Sequence, residues 1–376
     1  MTTNKKSIGM WGLAAVIFIA LLLVPRFLDA DRSYAVYFLF LVFIYITMAQ
    51  AWNLIAGYTG QMSLGTQAFF GIGAYTAALG WKWGYLSFFS LQGMLCAGFM
   101  AAVLAVAIGI PLLTRLKGDY FTLGTLGLGE ILRVLFINGK GVTGGAVGVM
   151  MPSSLYDGMA PYYYWALGLV TVALIAMWFL IKSRYGMAMQ AVREDETAAA
   201  SNGINVIAVK ILAFAFGAFF IGITGSLQAY YAFHIHPYGM FSLNWGLMPI
   251  LMVMIGGAGT FLGPIIGAVI LAVVFELASI WMPEIHPIFS GLMIILVTLF
   301  LPKGLLHYFG NNSVAVRLFQ KHKHSGANAG AADHQPPQPQ TAAKSKVVKT
   351  KPSTMKLKEK QTENLTIVPC AVEIKP

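Results

Sequence analysis

Charged residues are scarce in this sequence. Asp, Glu, Lys and Arg together make up 10% of the 376 residues, whereas about a quarter of a soluble domain is charged. Hydrophobic residues make up 57%, and several runs are longer than the roughly 18 residues that cross a hydrocarbon core. So few charges cannot cover the surface of a soluble protein with a large core. The composition therefore predicts an all-α polytopic membrane protein.

Cysteines and catalytic motifs are also scarce. The two cysteines, Cys96 and Cys370, provide neither a disulfide framework nor a metal motif. The sequence contains no phosphate-binding loop of the form G-x-x-x-x-G-K followed by Ser or Thr, no H-E-x-x-H and no G-x-S-x-G. These absences disfavour a membrane-anchored enzyme and predict a transport subunit that binds no cofactor and has no nucleotide site of its own. If transport uses ATP, another chain must hydrolyse it.

Apolar runs predict about ten transmembrane helices, within a range of about 8–10. The third run is glycine-rich and weaker than the others, and the first resembles a signal peptide. Because Leu28 stands where signal cleavage requires a small residue, we expect an uncleaved first span, with cleavage as the alternative. The predicted spans lie near residues 10–24, 34–56, 62–81, 88–113, 120–138, 161–181, 207–230, 243–255, 262–281 and 288–301.

Basic residues between the spans predict the orientation in the membrane. With the N-terminus inside, alternating crossings place Arg115, Lys182 and Lys303 on the cytoplasmic side, where Lys and Arg are usually enriched. Both termini then lie in the cytoplasm, together with the loop at 182–206. Removing the weak third span would place the basic C-terminal region outside, which favours retaining that span.

The C-terminal segment differs in composition from the transmembrane domain at 1–310. Residues 311–376 carry eleven Lys and Arg against four Asp and Glu, which is +7 of the net charge of +11. They are rich in Ala, Pro, Gln and Lys, so they cannot bury enough surface to offset the entropy of ordering. We expect a disordered basic cytoplasmic tail, with binding to anionic membrane lipid as the alternative, and no nucleic-acid partner.

Polar residues inside the apolar runs are candidates for a translocation pathway. Polar groups at membrane depth must face protein or water, and an intramembrane charge usually faces the bundle interior or a pathway. Four of the candidates lie among glycines in the third span, and the fifth is an acid in the fifth span. The candidates are Gln61, Ser63, Thr66, Gln67 and Glu130.

These residues also have structural interpretations. Small and polar residues serve helix packing in membranes. Glu130 and Arg133 are three apart, so they share a helix face and can form a structural ion pair as readily as contact a substrate. Glu276 is the only charge in its span, and Glu130 and Glu276 are the residues that could serve ion coupling in a secondary transporter or channel.

Four consecutive charges at 193–196 interrupt the apolar pattern. Acidic residues suit the first turn of a helix, and Gly203 suits a position just after its end. The segment therefore predicts a short cytoplasmic helix of about two turns, whose alanines at 198–200 give it a low, smooth surface. Such a helix is suited to docking in a groove of a partner, and an ordinary solvated loop is the alternative.

This loop resembles that of a known family. The pattern T-A-A-x-x-x-G at 197–203 resembles the E-A-A-x-x-x-G coupling loop of ABC importer permeases, with Thr197 in the position of the usual Glu and Glu196 one residue earlier. The wider segment RYGMAMQAVREDETAAASNGIN resembles the corresponding loop of LivM-type branched-chain amino-acid permeases. The similarity covers roughly residues 34–306. Further matching segments lie at 53–79, 118–133, 251–271 and 299–305.

The resemblance implies the membrane-spanning subunit of an ATP-binding-cassette importer for branched-chain or related amino acids, in the bacterial inner membrane. It implies a homologous permease subunit as heterodimer partner, two ATPase subunits that use ATP and Mg²⁺, and a periplasmic or extracellular substrate-binding protein. Related permeases carry urea and short amides, which are the alternative substrates. The short helix would dock on the ATPase. The implied coupling residues are Arg193, Glu194, Asp195, Glu196, Thr197, Ala198, Ala199 and Gly203.

Overall fold

The computed structural model describes residues 16–29, 33–116, 118–151, 154 and 156–281. Within these ranges nearly every apolar run is helical. The tenth predicted span at 288–301 and the predicted tail at 311–376 lie outside the described residues.

Seven helical segments in the described ranges are long and apolar enough to cross a membrane, by length and composition. They are α2 (Tyr34–Thr59), α4 (Leu91–Arg115), α5 (Asp119–Asn138), α7 (Ala160–Lys182), α10 (Val206–Ala232), α11 (Pro237–Met240) with α12 (Leu243–Gly256), and α13 (Gly263–Trp281). The shorter helices are α1 (Val16–Phe27), α3 (Thr66–Lys82), α6 (Lys140–Thr143), α8 (Arg184–Glu194) and α9 (Glu196–Ser201). The predicted all-α polytopic architecture is confirmed.

The third predicted span, 62–81, differs from the structure at its start. α3 begins at Thr66 and is 17 residues long, and the preceding segment 60–65 is not helical. Gly60, with a φ of 75°, ends α2 in the left-handed conformation that glycine adopts without steric cost. The chain therefore leaves the helical conformation for six residues between α2 and α3.

α10 and α2 form the centre of the helix bundle. α10 packs against α2, α3 and α4, and α2 also packs against α7, α12 and α13. Large side chains fill the space between these helices, and Trp52, Phe70 and Tyr230 are almost completely buried. α5 lies at the edge of the bundle, where it contacts α3, α4, α6 and α11.

Short elements lie at both ends of α10. The strands β1 (Val149–Met150) and β2 (His234–Ile235) pair antiparallel, and β2 directly follows α10. α8 and α9 precede the N-terminus of α10. At about 1.5 Å per residue, the 27 residues of α10 place the two strands about 40 Å from α9.

α3 and α10 approach each other closely through glycine. A methyl group at Gly73 of α3 would collide with the backbone carbonyl of Gly222 in α10. A methyl group at Gly225 would likewise collide with the backbone carbonyl of Phe70. Small residues let helix backbones approach this closely in a membrane, so the two helices pack backbone to backbone.

Gly73→Ala is expected to lower the melting temperature of the detergent-solubilised protein. The added methyl group must displace backbone, and overpacking of this kind costs about 1–3 kcal/mol. The matched control is Gly168→Ala in α7, where an added methyl group meets no atom within 4 Å. The control should melt with the wild type or slightly above it, since Ala favours a helix over Gly by about 0.5–1 kcal/mol. Equal melting temperatures for the two variants would contradict the close approach.

Candidate functional site

The helix α9 begins at the last of the four consecutive charges. Asp195 separates α8 from α9 and caps the start of α9. Its Oδ1 accepts hydrogen bonds from the Thr197 hydroxyl at 2.5 Å and from the backbone nitrogens of Thr197 and Ala198 at 2.8 and 3.0 Å. The bond from the Thr197 hydroxyl, followed by the two backbone bonds, lowers the pKa of the Asp195 carboxyl. The cap is therefore ionised at neutral pH, and its stabilising effect is lost only as the pH falls through this lowered pKa.

α9 ends in a Schellman motif at Gly203. The φ of Gly203 is 82°, and its backbone nitrogen donates to the carbonyl of Ala200 at 2.9 Å. The backbone nitrogen of Ile204 donates to the carbonyl of Ala199 at 3.1 Å. These two bonds satisfy carbonyls that the end of a helix otherwise leaves unpaired. α9 thus occupies the stretch between Asp195 and Gly203 for which the sequence predicts a short helix.

One face of α9 packs against the rest of the chain. Ala199 is 4% exposed and belongs to a small apolar cluster that is distinct from the main core. The cluster includes Met189 and Val192 of α8, Leu54 of α2 and Val209 of α10. α8 and α9 therefore rest on the ends of α2 and α10 instead of projecting into solvent.

A buried lysine holds α9 against α10. Lys210 is 4% exposed, and its ammonium lies 2.6 Å from Oε1 of Glu196. The same carboxylate oxygen accepts a hydrogen bond from the Gln61 amide at 3.1 Å. An ammonium removed from water is costly unless an anion pairs with it. Glu196 therefore links α9 both to α10 and to the non-helical segment before α3.

Arg193 links the end of α8 to α2. Its guanidinium donates to the backbone carbonyl of Gly57, beside Gly259 in the loop between α12 and α13. Asn53 of α2 bonds to the same loop twice, because its Oδ1 accepts from the nitrogen of Gly259 at 2.8 Å and its Nδ2 donates to the carbonyl of Thr260 at 2.9 Å. The ends of α2 and α8 and the α12–α13 loop are thus tied together.

The other face of α9 is exposed. Ala198 and Ala200 are exposed, whereas Ala199 between them is buried, because successive side chains on a helix point about 100° apart. The sequence analysis placed all three alanines on one surface, and the structure turns the middle one inward. We call the set Thr197, Ala198, Ala200 and Ser201 the outer face of α9.

Three of the four consecutive charges have partners within the chain. Arg193 bonds to α2, Asp195 caps α9 and Glu196 pairs with Lys210. Glu194 is exposed and makes no hydrogen bond or ion pair within the described residues. The charges therefore mainly position the two loop helices.

Alternate residues of the non-helical segment before α3 are enclosed by protein, whereas Met62 is 49% exposed. The Trp52 indole donates to the carbonyl of Ser63 at 2.7 Å, and the backbone nitrogen of Leu64 donates to the Thr125 hydroxyl at 3.0 Å. Ser63 and Thr66 also line a cavity of about 10 Å³, which is about the smallest that holds one water molecule. Irregular backbone is tolerated at membrane depth where protein or a water-filled cavity surrounds it, as here. A pathway role for these residues stays a prediction.

Gln67 is fully buried, and its amide lies where three helices meet. Methyl groups at Gly129 of α5 and Gly246 of α12 would both collide with this amide, so the two glycines leave the space that it fills. Neither the amide nitrogen nor the amide oxygen has a hydrogen-bond partner within the described ranges. The amide is thus held between α3, α5 and α12 by packing.

Glu130 and Arg133 form an ion pair of 2.5 Å on the outer side of α5. The two side chains are 41% and 35% exposed. Glu130 also lines a wide, open depression on the exposed side of α5, which we call the α5 cleft. Its lining residues are Glu130, Ile131, Val134, Leu135, Asn138 and Gly139. Glu276, the other intramembrane acid, accepts a hydrogen bond from the Tyr34 hydroxyl of α2.

Comparison with known proteins identifies the family. The family model described as branched-chain amino acid transport system / permease component matches residues 34–298. The chain belongs to this permease family.

Relatives in several organisms support the assignment. The chain is 32% identical to the high-affinity branched-chain amino acid transport system permease protein LivM of Escherichia coli, over 71% of this chain and 68% of that protein. It is 23% identical to the probable LivM permease of Methanocaldococcus jannaschii, over 57% and 68%. It is also 34% identical to the permease protein LivH of Salmonella typhimurium, over 36% and 44%. No solved structure significantly matches the chain.

Sequence reasoning missed Lys210, the residue on which the position of α9 in this permease depends. The signal was available, because Lys210 is a charge inside the predicted span 207–230, and an intramembrane charge requires a partner. The partner could not be read from the sequence, since Glu196 and Gln61 are distant along the chain. The contacts of Gly57 and Gly246 are similarly long-range.

Glu196→Ala is expected to destabilise the permease, because it leaves the ammonium of Lys210 buried without its anion. Leaving a buried polar or charged group unpaired costs about 1–3 kcal/mol or more. The matched control is Glu194→Ala, which removes an exposed carboxylate and should leave the melting temperature unchanged. The double variant Glu196→Ala/Lys210→Met should regain most of the lost stability, because it removes both charges. If Glu196→Ala and Glu194→Ala have the same melting temperature, the pair with Glu196 does not stabilise the buried Lys210.

Proposed function

We propose that this chain is the membrane-spanning permease subunit of an ATP-binding-cassette importer in the inner membrane. It translocates branched-chain or related amino acids, and a separate subunit hydrolyses the ATP. The observation that carries the proposal is α9, a capped helix with one face fixed to the transmembrane helices and the other face free. The family membership and the names of the relatives support the substrate class.

The two faces of α9 suit a coupling helix. The outer face carries only small side chains, so a groove on a partner can approach the helix backbone closely. The inner face is held by Ala199 in the apolar cluster and by Glu196 on Lys210. A displacement imposed on the outer face therefore moves the ends of α2 and α10 with it, since packed elements shift as bodies instead of deforming continuously.

The proposal requires several further subunits. Two ATPase subunits bind ATP and Mg²⁺ in the cytoplasm and dock on the coupling helices. The relatives include permeases named LivM and LivH of the branched-chain system, which supports a heterodimer of two homologous permeases. A substrate-binding protein outside the membrane delivers the amino acid. The excess of basic residues supports a cytoplasmic position for the α8–α9 loop.

The contacts of Thr197 and Glu196 give each a role in this proposal. Thr197 occupies the position of the usual glutamate, and its hydroxyl bonds to the cap residue Asp195. Glu196 is turned toward Lys210 and Gln61, so it does not substitute for that glutamate at the ATPase. Among the four consecutive charges, Glu194 is the one left to meet a basic group on the ATPase by charge complementarity.

Ala200→Arg is the variant that tests the coupling role. A long charged side chain on the outer face should prevent close docking, so ATP-dependent leucine uptake by the reconstituted complex should fall by at least about tenfold, equivalent to about 1.4 kcal/mol. The ATPase subunits should also no longer co-purify with the permease. Ala199→Arg is unsuitable, because Ala199 is buried against the chain itself and the variant would disrupt α9.

The matched control is Ala146→Arg, an exposed alanine in the turn before β1, at the opposite end of α10. It should retain ATPase binding. Both variants should have the melting temperature of the wild type. Equal melting temperatures distinguish a docking defect from a folding defect. Normal uptake and normal ATPase binding by Ala200→Arg would refute the coupling role.

A further inference from the structure

The outer side of α5 combines charged and aliphatic groups near the middle of the membrane. Glu130 lies about 17 Å along α5 from Asp119, at about 1.5 Å per residue, and a hydrocarbon core is about 30 Å thick. Its ion pair with Arg133 is more than one-third exposed on both sides. Exposed charges at this depth are costly against lipid, so they face protein or water.

Exposed aliphatic side chains lie beside this ion pair. Ile131, Val134 and Leu135 are 66%, 51% and 61% exposed, and all three line the α5 cleft beside Glu130. Gly127, one turn before Glu130, also has open space where a side chain would lie. The exposed side of α5 therefore presents an anion and a cation, with aliphatic side chains beside them, within two turns.

We infer that the α5 cleft is a transient binding site for the zwitterion of an aliphatic α-amino acid. Glu130 receives the ammonium group, the Arg133 guanidinium receives the carboxylate by paired hydrogen bonds, and the row of aliphatic side chains contacts the branched side chain. The inference rests on the proposed function and assigns the substrate contact within it. All lining residues of the cleft lie on α5 or directly after it, so the second wall of the site has to come from the partner permease.

The internal ion pair explains how the site is tolerated when no substrate is bound. Glu130 and Arg133 neutralise each other in the empty site, so neither charge is isolated in the membrane. A zwitterion exchanges this one pair for two pairs of the same kind, with no change in net charge. Within the described residues, the ion pair uses Nη2 of Arg133 and leaves Nη1 as a donor for the substrate carboxylate. This exchange of ion pairs suits a site that must bind the amino acid and then release it.

The test uses the complete reconstituted complex with Glu130→Gln and Arg133→Gln. Each variant should lose at least about tenfold in leucine transported per ATP hydrolysed, as expected for the loss of a charge-assisted bond. ATPase stimulation by the leucine-loaded binding protein should stay at the wild-type rate. The matched control is Glu276→Gln, which alters the other intramembrane acid outside the cleft and should keep both activities.

Chemical labelling tests the location independently. A charged thiosulfonate reagent should modify Val134→Cys in the assembled complex, and saturating leucine-loaded binding protein with ATP should slow the modification. The control Val172→Cys, which is also exposed but lies on α7 outside the α5 cleft, should show no slowing by the loaded binding protein and ATP. Both cysteine variants carry Cys96→Ala and Cys370→Ala, so that only the introduced thiol reports.

Two results would overturn the inference. One is normal transport per ATP by Glu130→Gln and Arg133→Gln, and the other is failure of Val134→Cys to react while the complex is active. Either outcome leaves the proposed function standing, because uptake would still depend on ATP and on the outer face of α9. Loss of ATP-dependent uptake in the wild-type complex would instead refute the proposed function.

Discussion

The buried ammonium of Lys210 is the constraint on which the cytoplasmic-loop architecture depends. A charge in the apolar helix α10 must be paired, and the carboxylate that pairs with it is on α9. The position of α9 is therefore determined by an electrostatic requirement of a transmembrane helix. Because the same carboxylate oxygen also binds Gln61, the start of the non-helical segment before α3 is positioned by the same requirement.

A second set of contacts extends this rigid region to the far side of α2. Arg193 bonds to the backbone of α2, and Asn53 bonds to the loop between α12 and α13. Each contact uses backbone groups at helix ends, which otherwise lack partners. These contacts join α8 and α9 to α2, α10 and the loop before α13, which is the connection that the proposed function requires.

The parts of this architecture that sequence reasoning could predict are the local ones. The ends of α9 follow from Asp195 and Gly203, because a cap and a left-handed glycine act on neighbouring backbone. The apolar runs predict the membrane helices for the same reason. The inward orientation of Ala199 depends instead on the rotation of α9 relative to α2 and α10, which residues distant in the chain determine. The late start of α3 likewise depends on hydrogen bonds from Trp52 and to Thr125, which no local pattern encodes.

Two of the pathway candidates, Gln61 and Gln67, are held in different ways. Gln61 is fixed by a hydrogen bond to an ion pair, whereas Gln67, six residues later, is held only by packing between Gly129 and Gly246. A shift of α5 relative to α3 and α12 would therefore break no hydrogen bond of the Gln67 amide that the described residues provide. On the exposed side of α5, Glu130 and Arg133 pair with each other, and within the described residues neither bonds to another helix. In the proposed function, α9 is therefore the firmly held end of the bundle, and the contact at Gln67, which is held by packing alone, is where helices can be displaced relative to one another.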